Sequence, residues 1–183
     1  MKMIYRFCLP FIFILLIATN GLAADLTGSI GVFQPDDSVV AHLYGASPSF
    51  SLRLAFPYRD FMEWVLSSEY IQLANRSFPK DRLDLYSLAT GFQMQLSSMK
   101  ATFSPVIGAG LALSSMSGNP DVNLKDPIYS WTVYKEIGLV SPTISESSTK
   151  FIFLIRESTI LGNSQQLPYV NGTALTLGIR IGF

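Results

Sequence analysis

The residues best able to do chemistry in this chain fall into two groups. The first centres on His42, the single histidine of the 183 residues, in a stretch that also carries Asp36, Asp37, Ser38 and Ser47. Histidine beside acids and hydroxyls is the composition of a general-base or acyl-transfer site, in which an acid orients the imidazole and the imidazole activates a hydroxyl or a water. Such a site needs partners within hydrogen-bond reach, and the spacing supplies none, since the position two residues beyond His42 is Tyr44. No catalytic set is therefore assigned. His42 stands as the one candidate, against the simpler expectation of a solvated loop histidine. Metal chemistry has less to work with. The single cysteine, Cys8, lies in the apolar N-terminal segment, which leaves carboxylates such as Asp36 and Asp37, or Asp121 with Asp126, to hold a hard cation weakly at most. No metal and no cofactor are expected.

The second group is spread along the chain at alternating positions: Arg53, Glu63, Gln93, Gln95, Tyr134, Glu136, Arg156 and Arg180. Each sits in a segment whose other parity is apolar, so each points the same way relative to a sheet. Thr173 to Phe183 sets the pattern, with Leu175, Leu177, Ile179, Ile181 and Phe183 on one face and Thr176, Gly178, Arg180 and Gly182 on the other. A strand that ends the polypeptide on an apolar-face aromatic reads as the closing strand of a barrel, and closed barrels are one of two ways to satisfy backbone hydrogen bonds inside lipid. The polar group then lines the interior. Eight strands enclose a space that side chains nearly fill, so these residues should pair into a network that plugs the lumen and locks the register. Glu136 and Arg156, on neighbouring strands, are expected to form an ion pair there.

The elements that must position them are eight strands, read as 25–33, 49–58, 61–75, 83–96, 101–114, 129–140, 149–161 and 173–183. In the second, Phe50, Leu52, Leu54 and Phe56 alternate with Ser49, Ser51, Arg53 and Ala55. In the third, Met62, Trp64 and Leu66 oppose Glu63, Val65 and Ser67, and the alternation weakens beyond Ser68, as for a strand rising into water. In the fifth, inward Gly108 and Gly110 leave room for large side chains from across the barrel. Lys135 breaks the pattern of the sixth, which calls for a bulge or a different register. The seventh is apolar on both faces. Turning Phe151, Phe153 and Ile155 to lipid sends Arg156 inward and leaves Glu157 near the outer rim, and it avoids the cost of about 2 to 4 kcal/mol for an arginine facing hydrocarbon.

Connections at 34–47, 76–82, 115–128 and 162–172 are expected outside the cell and those near 59–60, 97–100 and 141–148 in the periplasm. Within the first, Val39 to Tyr44 either extends a strand or folds down over the barrel mouth. Aromatics gather at strand ends as two interfacial girdles, Phe61, Trp64, Phe92, Phe103 and Phe183 at one level and Tyr70, Tyr86, Tyr129 and Trp131 at the other.

The N-terminus adds an export signal. Lys2 and Arg6 precede an apolar run from Phe7 to Ala18, and Gly21-Leu22-Ala23-Ala24 supplies small residues for cleavage. That run is too short for a transmembrane helix. Residues 1–23 are thus expected to be a cleaved signal peptide, and 24–183, about 160 residues, a single barrel domain. Formal net charge is +0, and no basic face suggests nucleic acid.

The signal peptide, the strand pattern, Ser104-Pro105-Val106-Ile107-Gly108-Ala109-Gly110 and the terminal alternation ending in Phe183 together resemble the small eight-stranded outer-membrane proteins of the OmpA, OmpX and opacity-protein type. The resemblance implies an all-β, eight-stranded antiparallel up-and-down transmembrane barrel in the bacterial outer membrane. Its implied partners are outer-membrane lipid, lipopolysaccharide, the outer-membrane assembly machinery and a ligand on the surface loops. It also implies that Tyr169 to Phe183 is read by the assembly machinery. Members are anchors, adhesins or narrow channels, so the expected function is a non-enzymatic barrel whose four outer loops serve surface interaction or envelope integrity. The lipid A palmitoyltransferases and deacylases are similar barrels that use a histidine near the outer surface. They make a lipid A-modifying role for His42 the alternative, beside a narrow porin-like channel. The palmitoyltransferases carry an amphipathic helix before the first strand, and this sequence shows none.

Overall fold

A computed structural model describes residues 24–77, 82–96, 103–118, 128–144, 148–161 and 171–182. The expected signal peptide at 1–23, the turn at 97–100, most of the 162–172 loop, Asp121, Asp126 and Phe183 lie outside the described residues.

Eight strands form one closed, fully antiparallel barrel in sequence order. They are β1 Asp25–Pro35, β2 Ser47–Arg59, β3 Met62–Ala74, β4 Arg82–Gln95, β5 Ser104–Gly118, β6 Ile128–Val140, β7 Thr149–Ile160 and β8 Gly172–Gly182. Closure comes from β1 and β8, paired from Asp25↔Gly182 to Pro35↔Gly172, so no edge strand is left unpaired. On β8 the outward Leu175, Leu177, Ile179 and Ile181 are exposed while Thr176 and Arg180 are buried. The same division holds on β7, where Phe151 and Phe153 face out and Ile152, Leu154 and Arg156 face in. A large apolar side chain is thus left uncovered on strand after strand, while arginines and glutamates are buried. That is the inverse of a water-soluble protein. On β2 the outward Leu54 and Phe56 are themselves buried, in a cluster with Ala24 that Leu26, Leu52 and Leu66 extend.

Three expectations are corrected. Lys135 needs no bulge, because the β6 register runs unbroken against both neighbours. It simply faces outward, where its ammonium meets the Glu157 carboxylate of β7 at 2.9 Å. Some strands also run further than their apolar pattern suggests, β5 above all, with residues 115–118 in the strand and not in a loop. Third, the alternation of β3 does not weaken beyond Ser68 but reverses in polarity. Ile71 and Leu73 are buried inside the barrel, and the outward side chains are Tyr70 and Gln72. The same reversal occurs on β4, with Leu83 and Leu85 inside and Asp84 outside, and on β5 at Met116. Where the wall leaves lipid its outer face meets water, so apolar side chains gain by turning inward.

Of the two alternatives for Val39 to Tyr44, the segment folds down over the barrel mouth and does not extend a strand. Helix α1, Ser38–Tyr44, folds across the barrel mouth. Asp37 caps its N-terminus, accepting from the Val39 and Val40 amides at 2.9 and 3.0 Å. Gly45 ends it at φ 67°, left-handed backbone where a side chain would also strike the Arg76 guanidinium. Val40 and Tyr44 point down and join Phe33, Ile71, Leu73, Leu83, Leu85, Met116 and Ala174 in an apolar stopper. The β3–β4 connection holds the helix in place through the Arg76 amide, which donates to the Leu43 carbonyl at 2.8 Å.

Candidate functional site

Below the stopper, the lumen holds a continuous polar chain. At the end where Asp25 of β1 pairs with Gly182 of β8, Arg180 bonds to Asp25 and Glu63. Glu63 accepts from the Gln93 amide at 3.1 Å, and Gln93 in turn accepts from Arg53. Arg53 also bonds to Glu136, whose other oxygen takes Arg156 at 3.0 and 3.1 Å. Arg156 reaches Glu69 at 3.6 Å and the Ser67 hydroxyl at 3.5 Å, and its guanidinium lies 4.4 Å from the Tyr134 ring centroid. Seven strands, all but β5, contribute, and opposite charges alternate along the run. Buried ions are costly unless each is paired, so this arrangement favours the one register that pairs them all.

Strand geometry explains why the chain fits. Tyr134 and Glu136 of β6 lean over β5 and on toward β4, where the inward positions are Gly108 and Gly110 on β5 and Gly91 on β4. A Cβ at Gly91 or Gly110 would strike the Tyr134 side chain, and one at Gly108 the Glu136 side chain. The room left by the glycines is therefore taken from one or two strands along the wall, not from across the barrel. Two small cavities flank Arg156. One, bounded by Glu69, Ser87, Ser114, Thr132 and Tyr134, leaves about 20 Å³ for the centre of a water molecule, and the other, beside Arg53, Ser29 and Thr176, about 10 Å³. Each has room for no more than a water or two. In the wall of the first, the Ser87 and Ser114 hydroxyls bond at 2.8 Å, and the Ser114 hydroxyl lies 3.4 Å from that of Thr132.

Of the residues singled out from sequence, Arg53, Glu63, Gln93, Glu136, Arg156 and Arg180 are joined by hydrogen bonds, and Tyr134 through its ring. Gln95 is not joined. It is half-buried at the last residue of β4, where its backbone amide donates to the Phe61 carbonyl at 3.0 Å. Two members went unread, Asp25 and Glu69. Glu69 continues the parity of Glu63, Val65 and Ser67, which was the available signal. The aromatics Phe61, Trp64, Phe92, Phe103, Tyr129 and Trp131 are exposed. Tyr70 and Tyr86 pair with ring centroids 4.9 Å apart, and the Tyr70 hydroxyl donates to Asp84 at 2.8 Å.

His42 lies exposed in the last turn of α1. Asp37, one of the acids near it in sequence, is engaged as the helix cap. Among the described residues no group of three or more His, Cys, Asp or Glu side chains could hold a metal ion.

Searches for similar structures return outer-membrane barrels. Neisserial surface protein A superposes with a TM-score of 0.61 at 15% identity, over 87% of this chain and 97% of that one. The outer membrane protein OprG of Pseudomonas aeruginosa superposes with 0.57 at 14% identity, over 88% and 95%. The fold is that of the small eight-stranded outer-membrane barrels. The N-terminal barrel domain of OprF from Pseudomonas aeruginosa adds a third match, with a TM-score of 0.56 at 12% identity over 87% of this chain and 97% of that one. Identities this low reflect architecture alone. No protein-family model matches the sequence, and no curated protein matches it.

Proposed function

We propose that this chain is a non-enzymatic integral protein of the bacterial outer membrane, its barrel an anchor and its four outer connections the part that meets the surroundings. The observation that carries this reading is the inverted wall: leucine, isoleucine, phenylalanine and tryptophan exposed on the outside, arginine and glutamate buried within. Lipid and lipopolysaccharide are then the solvent of the outer face. The two sets of exposed aromatics sit at its interfaces. Residues 1–23 direct export and are removed, and Leu175, Leu177, Ile179, Ile181 and Phe183 present the strand that the assembly machinery reads. The filled lumen and the stopper under α1 favour an anchor over a conduit.

Membrane fractionation with electrophoresis of heated and unheated samples tests the proposal. Outer-membrane fractions should contain a band whose mobility shifts on heating, with an N-terminus at residue 24 or 25. Recovery in the soluble periplasm would overturn it.

A further inference from the structure

On the outer wall, Lys135 and Glu157 form an ion pair at 2.9 Å with side chains 70% and 42% exposed. Its position is unusual. Lys135 lies four residues along β6 from Trp131, on the side of Ile137 and Leu139, which are all exposed apolar residues. At the rise and tilt of barrel strands this puts it about 10 Å below Trp131. The hydrogen-bonded row that contains the pair runs from Trp64 and Phe92 at the lower aromatic level, through Ala109, Lys135, Glu157 and Thr173, to Gln34 at the opposite rim. Both charges therefore stand inside the apolar band, Glu157 deeper than the outer rim expected from the sequence, and there an ionised group on the lipid face is disfavoured.

We propose that this face is where two copies of the chain associate. The ammonium is already neutralised by its own neighbour, so the patch is a dipole, and Glu157 would repel an anionic headgroup. A side-by-side pair of opposite charges is complementary to itself under a two-fold axis along the membrane normal. Lys135 of one copy then faces Glu157 of the other, and four charges close a ring shielded from lipid. The flanking positions in the same row, Ala109 on β5 and Thr173 on β8, are small and let two walls approach. The inference rests on the membrane-spanning reading above, which heat-shifted mobility tests separately.

The experiment is cross-linking of the full chain in outer membranes with a short bis-maleimide, from a single introduced cysteine at Thr159→Cys beside the pair or at Phe50→Cys on β2. Dimer is expected from Thr159→Cys only. In the Thr159→Cys background, Lys135→Glu alone and Glu157→Lys alone should each lose it, and coexpression of the two should restore it, since one barrel then carries two acids and the other two amines. The neutral double variant Lys135→Met/Glu157→Leu, which puts no unpaired charge in lipid, should lose the dimer with its heat-shifted band intact, even where a singly substituted barrel does not insert. Equal cross-linking from both walls, or dimer retained in the neutral variant, would overturn the proposal. So would loss of co-purified lipopolysaccharide in the neutral variant with no dimer from Thr159→Cys, which would assign the face to lipid.

Discussion

Arg156 and Glu136 face each other directly across the β6–β7 ladder, and the guanidinium holds a single carboxylate oxygen through two nitrogens, at 3.0 and 3.1 Å. The other carboxylate oxygen belongs to Arg53. Glu136 is thus the acid between two buried bases. Replacing it with alanine leaves two guanidiniums facing each other in a closed lumen, and removal of one partner from a buried pair costs about 3 to 5 kcal/mol. Glu136→Ala should unfold at clearly lower urea concentration than the parent, read from the fraction of heat-shifted band. An unchanged midpoint would mean the lumen is wet enough to solvate both arginines.

Tyr134 divides into two separable parts. Its ring is packed over Gly91 and Gly110 and against Arg156, while its buried hydroxyl has no hydrogen-bond partner among the described residues. Tyr134→Phe should therefore change stability by less than about 1 kcal/mol. Tyr134→Ala, which opens a void, should cost about 3 to 5 kcal/mol. Equal effects in the same urea titration would place the importance in the hydroxyl.

The α1 lid depends on its cap. Asp37→Ala removes the acceptor for two amides and should cost about 1 kcal/mol, confined to the lid. Hydrogen exchange should speed up at residues 38–45, with β1 to β8 unchanged. Faster exchange throughout the strands would show that the stopper is integral to the barrel's stability.

His42 separates the anchor from the lipid A-modifying alternative. With its side chain exposed on α1 and Asp37 engaged elsewhere, His42→Ala should leave the lipid A mass spectrum of an expressing strain unchanged. A lost acyl modification would reinstate the enzyme. Purified barrel in planar bilayers should likewise give no discrete conductance, given cavities that hold only a water or two.

The parts of this fold legible in the sequence are those where the two faces of a strand meet different solvents. On β8 the switch between Leu175, Leu177, Ile179 and the inward Thr176, Gly178 and Arg180 is complete, and the strand could be placed and oriented at once. Legibility failed where the outer solvent changes. At Ile71, Leu73, Leu83 and Leu85 the apolar side chains turn inward because water surrounds the wall, so a rule tuned to lipid reads them as loss of pattern. Glu69, just before that reversal, was missed for the same reason. Lys135 misled in the opposite sense. A lone charge on an apolar face suggested a bulge, and only the register shows Glu157 beside it. The helix α1 is too short for its periodicity to stand out, although Asp37 and Gly45 mark its ends.

The direction in which the wall faces is tested most directly by nitroxide labels placed one at a time from residue 174 to 181 in the refolded barrel in lipid bilayers. Accessibility to dissolved oxygen should alternate, high at Leu175, Leu177, Ile179 and Ile181 and low at Ala174, Thr176, Gly178 and Arg180, with a water-soluble relaxing agent excluded from the high set. Access of that agent to Leu177 and Ile179, or an alternation of the opposite phase, would contradict a lipid-facing exterior around a closed polar interior.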